Sequence, residues 1–137
     1  MEKASSVIAA ASVAVLVLFS GCLGWVSGTD VEKVTVHNGG GEDYAVVIDY
    51  LAGNRDVKDL VNVDSSTKAE GPENSGLVPD VVVVARYYEQ MPNATSAREY
   101  SVENSLGTAT VTLESGTYEL TIVIGEDALS MTYERLD

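Results

Sequence analysis

The feature that most constrains this chain is an alternation of apolar and polar residues with a period of two near its C-terminal end. Side chains of a β-strand point alternately to its two faces, so this period predicts strands with one buried face. Gly-containing stretches at 114–117 and 125–127 interrupt the alternation and predict tight turns. Three consecutive strands are therefore expected, with these apolar positions: Ala109, Val111 and Leu113; Tyr118, Leu120, Ile122 and Ile124; Leu129, Met131 and Tyr133.

Earlier residues continue the pattern. Val34 and Val36 predict a strand that ends at the turn 38–41, and the run 44–51 is apolar on both faces, which predicts a central strand. The polar stretch from Asp64 to Pro79 predicts a long loop. Further strands are expected at Val57 to Val63, at Val81 to Tyr88, and around Tyr100 and Val102.

Seven or eight short strands within about 107 residues favour one domain, residues 31–137, with an all-β fold. The expected architecture is a two-sheet antiparallel β-sandwich, preceded by an N-terminal hydrophobic signal helix. A single cysteine excludes an intrachain disulfide, so the domain must be held by its apolar core.

The turn between the two clearest strands carries a Gly-x-Tyr pattern, Gly116-Thr117-Tyr118. It resembles the corner near the end of immunoglobulin-like and fibronectin-type modules, in which the Tyr hydroxyl bonds to the backbone. The chain lacks the paired cysteines and core tryptophan of antibody domains. The resemblance implies an Ig-like architecture and no particular activity, because sandwiches host many functions.

The N-terminal segment has the layout of a signal peptide. An apolar run from Val7 to Phe19 has the length of a signal-peptide core, and small residues follow it. The sequence Phe19-Ser20-Gly21-Cys22 resembles the lipobox of bacterial and archaeal lipoproteins, with Phe19 at the position usually held by Leu. The resemblance implies that residues 1–21 are a leader, that Cys22 is the lipid-attachment residue, and that residues 22–30 are a short tether.

Two other interpretations of the N-terminal segment remain open. Residues 4–26 form a longer mixed-apolar stretch that could remain as an uncleaved transmembrane helix, with Trp25 at the interface. Alternatively, Cys22 is an ordinary buried cysteine. The anchored readings predict the same location, the extracytoplasmic face of the cell membrane, where the N-terminal anchor contacts membrane lipid.

Charge narrows the class of partner. The chain has 21 Asp and Glu against 8 Lys and Arg, a net charge of −13, which excludes a generic nucleic-acid binder. This balance resembles that of proteins from halophilic archaea, in which molar salt screens self-repulsion between acidic groups. The competing interpretation is an acidic secreted protein of another origin.

Candidate chemistry is sparse. His37 is the only histidine and has no companions for a metal site or a catalytic triad. Four residues with oxygen-bearing side chains between 54 and 64 could gather around a calcium ion, but their spacing does not fit the twelve-residue calcium loop. Those residues are Asn54, Asp56, Asp59 and Asp64. No cofactor, metal or catalytic residue is predicted, and a metal-dependent hydrolase ranks below a non-enzyme.

Two surface features suggest recognition. Asn93-Ala94-Thr95 is an acceptor sequence for an N-linked glycan in a predicted loop. Tyr87, Tyr88 and Tyr100 flank that loop and suggest either a recognition patch or half-buried packing residues. The predicted function is a non-catalytic binding or structural module with an unidentified protein or glycan partner. The alternative is an accessory subunit of an envelope complex.

Overall fold

The computed structural model describes residues 28–126 and 128–137. The predicted leader and Cys22 lie outside these residues. In the described part the chain is all-β, with nine strands, two short 3₁₀-helices and no helix long and apolar enough to cross a bilayer. The strands are β1 (Thr29–Asn38), β2 (Tyr44–Ala52), β3 (Arg55–Val63), β4 (Lys68–Gly71), β5 (Asn74–Leu77), β6 (Val81–Glu89), β7 (Gly107–Leu113), β8 (Gly116–Ile124) and β9 (Leu129–Arg135).

The strands form two sheets that enclose one core, an arrangement consistent with a β-sandwich. The five-stranded sheet has the order β4-β1-β8-β9, with β5 paired to the same strand β1 as β4. The four-stranded sheet has the order β3-β2-β6-β7. The predicted all-β class with two sheets is confirmed, and β2 is a central strand as its two apolar faces indicated.

The long-loop prediction for 64–79 is wrong, because β4 and β5 lie within it and raise the strand number above the expected seven or eight. Both are four-residue strands that pair with the free edge of β1. Their sequences, Lys68-Ala69-Glu70-Gly71 and Asn74-Ser75-Gly76-Leu77, carry little apolar alternation, since backbone pairing at an edge needs no buried side-chain face.

The strand predicted around Tyr100 and Val102 is also wrong. Those residues lie in and beside two 3₁₀-helices, Ala97–Glu99 and Val102–Asn104, in the connection between β6 and β7. Tyr100 is buried, but against the outer face of a sheet rather than within one. Two apolar residues two positions apart, Tyr100 and Val102, are too few to distinguish a strand from a connection that packs on the face of a sheet.

Strand β1 is the first strand of the domain and pairs with β4, β5 and β8. It begins at Thr29, so the last two residues of the predicted tether belong to the domain, and the Thr29 hydroxyl donates to the Glu114 carbonyl at 2.9 Å. A register shift between Val31 and Lys33 lets Val31 face the core together with Val34. The pairing of β1 with β8 is parallel, whereas all the other strand pairs in the described residues are antiparallel.

Candidate functional site

The connection between β6 and β7, residues 90–106, folds back over the outer face of the four-stranded sheet. Two of its side chains, Ala97 and Tyr100, join a small buried cluster with Ala45 and Val47 of β2 and Tyr88 of β6. The small side chains on β2 leave room for the aromatic rings above them. We call residues 90–106 the covering segment; it is the reason that both faces of β2 are buried.

Hydrogen bonds fix the shape of the covering segment. The Glu99 carboxylate accepts from the backbone N–H groups of Thr95, at 2.7 Å, and Ser96, at 2.9 Å. These two bonds hold the pKa of Glu99 below its usual value. The Tyr100 hydroxyl accepts from the backbone N–H of Met91 at 3.0 Å. These bonds tie the start of the covering segment, at residues 91–96, to Glu99 and Tyr100.

The predicted tyrosine patch forms in part. The rings of Tyr88 and Tyr100 lie 5.1 Å apart between centroids and are tilted by 47°. Tyr87 points the other way, into the core, where it meets Tyr44 edge-to-face at 5.2 Å. The split follows from strand geometry, since consecutive residues of β6 face opposite sides of the sheet.

A basic pocket of about 190 Å³ lies on one side of this tyrosine pair. Its charged lining residues are Asp49 of β2, Lys58 of β3, Arg86 of β6 and Arg98 of the covering segment. Three of the eight basic residues of the chain thus converge on one cavity. The rest of its wall is apolar or aromatic and consists of Val47, Tyr88, Ala97, Tyr100 and Val102.

Asp49 is the buried acid of the basic pocket. Its Oδ2 atom accepts from Lys58 Nζ at 2.7 Å, and the same ammonium donates to Asp56 Oδ2 at 2.9 Å. The other oxygen of Asp49, Oδ1, is sealed from solvent and has no hydrogen-bond partner among the described residues. Only 10% of the Asp49 side chain is exposed, so this carboxylate lies in a poorly solvated place.

The pKa values of these three groups follow from that arrangement. Burial raises the pKa of Asp49, and its bond to Lys58 opposes the rise. The pKa of Lys58 is raised by its hydrogen bonds to Asp49 and then Asp56. The pKa of Asp56 is lowered, first by its contact with the Asp49 carboxyl group, whose own pKa is raised, and then by the bond from Lys58. Lys58 is thus held charged between two carboxyl groups.

A second pocket, the end pocket, lies on the other side of the tyrosine pair and has a volume of about 400 Å³. It shares Tyr88 and Tyr100 with the basic pocket. Its remaining lining combines carboxylates with exposed apolar groups and consists of Glu89, Met91, Glu99, Ser101, Asn104 and Leu106. The tyrosine pair therefore separates a cavity with excess positive charge from one with negative charge.

Some of the exposed apolar side chains of the domain line these pockets. Of the eight large apolar side chains that residues 28–126 and 128–137 expose, three lie in the covering segment: Met91, Val102 and Leu106. Each of the three lines one of the two pockets. Exposed apolar groups beside a cavity give a partner apolar surface to cover.

The other predicted site residues do not come together. His37 is exposed on β1, where its neighbours across the two strand edges are Lys68 and Val123. Asn93 is exposed in a turn of the covering segment, a position open to modification. Cys22 lies outside the described residues, so its role stays a prediction.

The residues considered for calcium are separated by strand geometry. Asp56 and Asp59 lie on opposite faces of β3, and Asp59 accepts a hydrogen bond from the Asn74 amide at 2.7 Å. Among the residues with described positions, no group of three or more His, Cys, Asp and Glu side chains is close enough to hold a metal ion.

Sequence reasoning missed the basic pocket. Its one signal was Asp49, a single acid within the otherwise apolar run of β2, which calls for a cation on a neighbouring strand. The partner follows only from the β2–β3 register, in which Asp49 faces Lys58. Arg98 could not be assigned to the same place without the path of the covering segment.

Comparison with protein-family models finds no match, and neither curated proteins nor solved structures give one. The interpretation of the site therefore depends on its own geometry.

Proposed function

We propose that the protein is a lipid-anchored, extracytoplasmic binding module without catalytic activity, built on an Ig-like β-sandwich. In this proposal residues 1–21 are removed, Cys22 carries the lipid, the residues up to 28 connect the anchor to the domain that begins with β1 at Thr29, and that domain carries the recognition surface. The lipobox-like sequence Phe19-Ser20-Gly21-Cys22 supports the anchor. The acidic net charge of −13 argues against nucleic acid as the partner.

One geometric observation carries the binding role: the covering segment leaves its sheet at the end opposite the tether. The chain enters β1 at Thr29 and reaches the far end of the domain at Asn38, roughly 30 Å away at the rise of a β-strand. Strand β6 ends at that far end, where Glu89 pairs with Tyr44. A domain tethered through residue 28 thus presents the end pocket away from its attachment point.

The lining of the two pockets suits non-covalent recognition. Tyr and Arg side chains supply rigid contact area and directional charge, and they are the residue types enriched at binding interfaces. The end pocket adds exposed Met91 and Leu106, whose burial by a partner would be favourable. The exposed Asn93 lies on the same segment, so a glycan there would stand beside the proposed recognition surface.

Intact-mass measurement on the membrane-extracted protein tests the anchor. The expected result is loss of residues 1–21 and a gain in mass from lipid on Cys22. Replacement of the thiol by Cys22→Ser should release the protein from membranes or leave the leader uncleaved, whereas the control Ser20→Ala should change neither. A full-length mass without lipid would contradict the lipid anchor and support the accessory subunit with an uncleaved helix.

A further inference from the structure

The basic pocket has a charge arrangement that calls for an anion. Lys58 is neutralised by its contacts with Asp49 and Asp56, so it contributes no free positive charge to the cavity. Arg86 and Arg98 line the same cavity, and neither forms a hydrogen bond or ion pair with another part of the chain that the structure describes. Two arginines without direct carboxylate partners therefore face one cavity, and their positive charges are available to an anionic ligand.

The two guanidinium groups come from different elements. Arg86 lies on β6, opposite Val47 of β2 and Thr108 of β7, so its base is fixed by the centre of a sheet. Arg98 is carried by the 3₁₀-helix Ala97–Glu99, which Ala97 holds against the sheet. Two donor groups on rigid supports can hold a planar carboxylate with charge-assisted hydrogen bonds.

The size and walls of the cavity limit the rest of the ligand. A volume of about 190 Å³ corresponds to roughly six water-sized groups, which suits a compact molecule rather than a polymer. Tyr88, Tyr100 and Val102 offer apolar and aromatic surface, and Val102 is 59% exposed, so a ligand would cover it. These surfaces favour an apolar or aromatic body next to the anionic group.

We infer that the basic pocket binds a small organic monocarboxylate, with its carboxylate between Arg86 and Arg98 and its apolar part against Tyr88, Tyr100 and Val102. The inference rests on the proposed function only in naming a ligand class for the binding module. It does not depend on the lipid anchor, because the pocket is built entirely from residues of the β-sandwich.

Calorimetric titration of the full chain in detergent, at constant ionic strength, tests the inference with benzoate as the probe. Benzoate should bind saturably, and benzamide, a neutral molecule of nearly the same shape, should not. Arg86→Gln and Arg98→Gln should each weaken benzoate binding by about tenfold or more, the effect of losing one charge-assisted contact. Arg55→Gln is the matched control, because it removes the same charge from an exposed residue outside the pocket.

A second pair of variants avoids any effect of the arginines on folding. Val102→Glu places a negative charge at the exposed rim of the pocket and should weaken benzoate binding, whereas Thr132→Glu, on an exposed position of β9 in the other sheet, should not. Equal weakening by Arg55→Gln and Arg86→Gln would overturn the inference, as would tight binding of benzamide. Binding of inorganic phosphate as strongly as benzoate would replace the carboxylate site by a general anion site. None of these outcomes bears on the mass of the anchored protein, so the two proposals can fail separately.

Discussion

Lys58 Nζ lies 2.7 Å from Asp49 Oδ2, across the β2–β3 pair and against the outer face of the four-stranded sheet. The lysine is about one quarter exposed and the aspartate only one tenth, so the cation compensates a carboxylate that water scarcely reaches. Because the other Asp49 oxygen has no partner in the described residues, Lys58 is the group that compensates the charge of the buried Asp49 carboxylate.

Lys58→Met should destabilise the protein by about 2–3 kcal/mol at pH 8, less than for a fully buried pair because part of the lysine is solvated. Asp49→Asn combined with Lys58→Met should recover most of the loss, since no uncompensated charge remains. Chemical denaturation measures both, and the exposed Lys33→Met is the control. Equal costs for the single and double variants would contradict this account.

The cost of Lys58→Met should depend on pH. Without its lysine, Asp49 keeps the burial that raises its pKa above the ordinary 3.8 and loses the bond that opposes the rise. A carboxyl group whose pKa is raised by folding binds its proton more tightly in the folded state. Stability of the variant should therefore fall as pH rises from 3.8 through the raised pKa. Denaturation at pH 4 and pH 8 should show the smaller cost at pH 4; a cost independent of pH would exclude a buried ionised Asp49.

Tyr100→Phe should loosen the covering segment without unfolding the domain. The substitution removes the acceptor of the Met91 N–H and should cost about 1 kcal/mol. Amide hydrogen exchange should accelerate at Met91 and its neighbours while the core strands β2 and β8 stay protected. Tyr133→Phe, at a half-exposed tyrosine of β9, is the control. Unchanged exchange at Met91 would show that the hydroxyl does not hold the segment.

Asn38→Ala should cost about 2–3 kcal/mol. The buried amide donates to the carbonyls of Glu42, at 2.8 Å, and Val63, at 3.2 Å, while its oxygen accepts from the Gly40 N–H at 2.9 Å. Removing the side chain leaves the buried Val63 carbonyl and two partly buried groups of the turn between β1 and β2 without this partner. Thermal unfolding compares it with Asn62→Ala, an exposed asparagine of β3. Matching melting temperatures would contradict the role of Asn38.

Gly71→Ala should cost about 1–3 kcal/mol, because an added Cβ would lie 2.9 Å from Val61 Cγ2. The contact joins β4 of one sheet to β3 of the other. Shortening the neighbour by Val61→Ala should relieve the clash, so the double variant should lose less stability than the sum of the two single variants. Gly41→Ala, with open space around the added methyl group, should be nearly neutral. Strict additivity of the first pair would indicate that the edge strand moves instead.

Tyr50→Phe should change stability by less than about 0.5 kcal/mol or raise it. The Tyr50 hydroxyl is buried without a hydrogen-bond partner among the described residues, so its removal sacrifices no bond. Burial also raises the pKa of Tyr50, the nearby Asp59 adds to the rise, and the Asn74 amide, which donates its hydrogen bond to Asp59, opposes it. Denaturant unfolding measures the change, and a loss above 1 kcal/mol would reveal a bound water or another acceptor for this hydroxyl.

The sequence predicted the elements whose one face is buried. Strand β8 alternates Tyr118, Leu120 and Ile122 with half-exposed residues, and its bounds follow from that alternation. Strands β4 and β5 lack such a face and exist because the edge of β1 offers unpaired backbone groups. The pairing of β4 and β5 can therefore be predicted only once the position of β1 within its sheet is known.

The candidate site was less accessible to sequence reasoning. The sequence indicates a group of tyrosines at positions 87, 88 and 100, and the alternation of side chains along β6 excludes Tyr87 from it. The basic pocket combines residues from β2, β3, β6 and the covering segment, so it requires two strand registers and the path of a segment with no alternation. Long-range proximity of this kind leaves no local pattern in the chain.

The position of β1 determines which hydrogen bonds carry a force applied through the tether. A pull applied at residue 28 along the strand loads the parallel ladder to β8 and the ladders to β4 and β5 in shear, so that many hydrogen bonds resist together. Peeling a hairpin from a sheet edge would instead break such bonds one at a time. Force transmitted through the tether thus enters the domain at an interior strand of the sheet, where ladders on both sides share it.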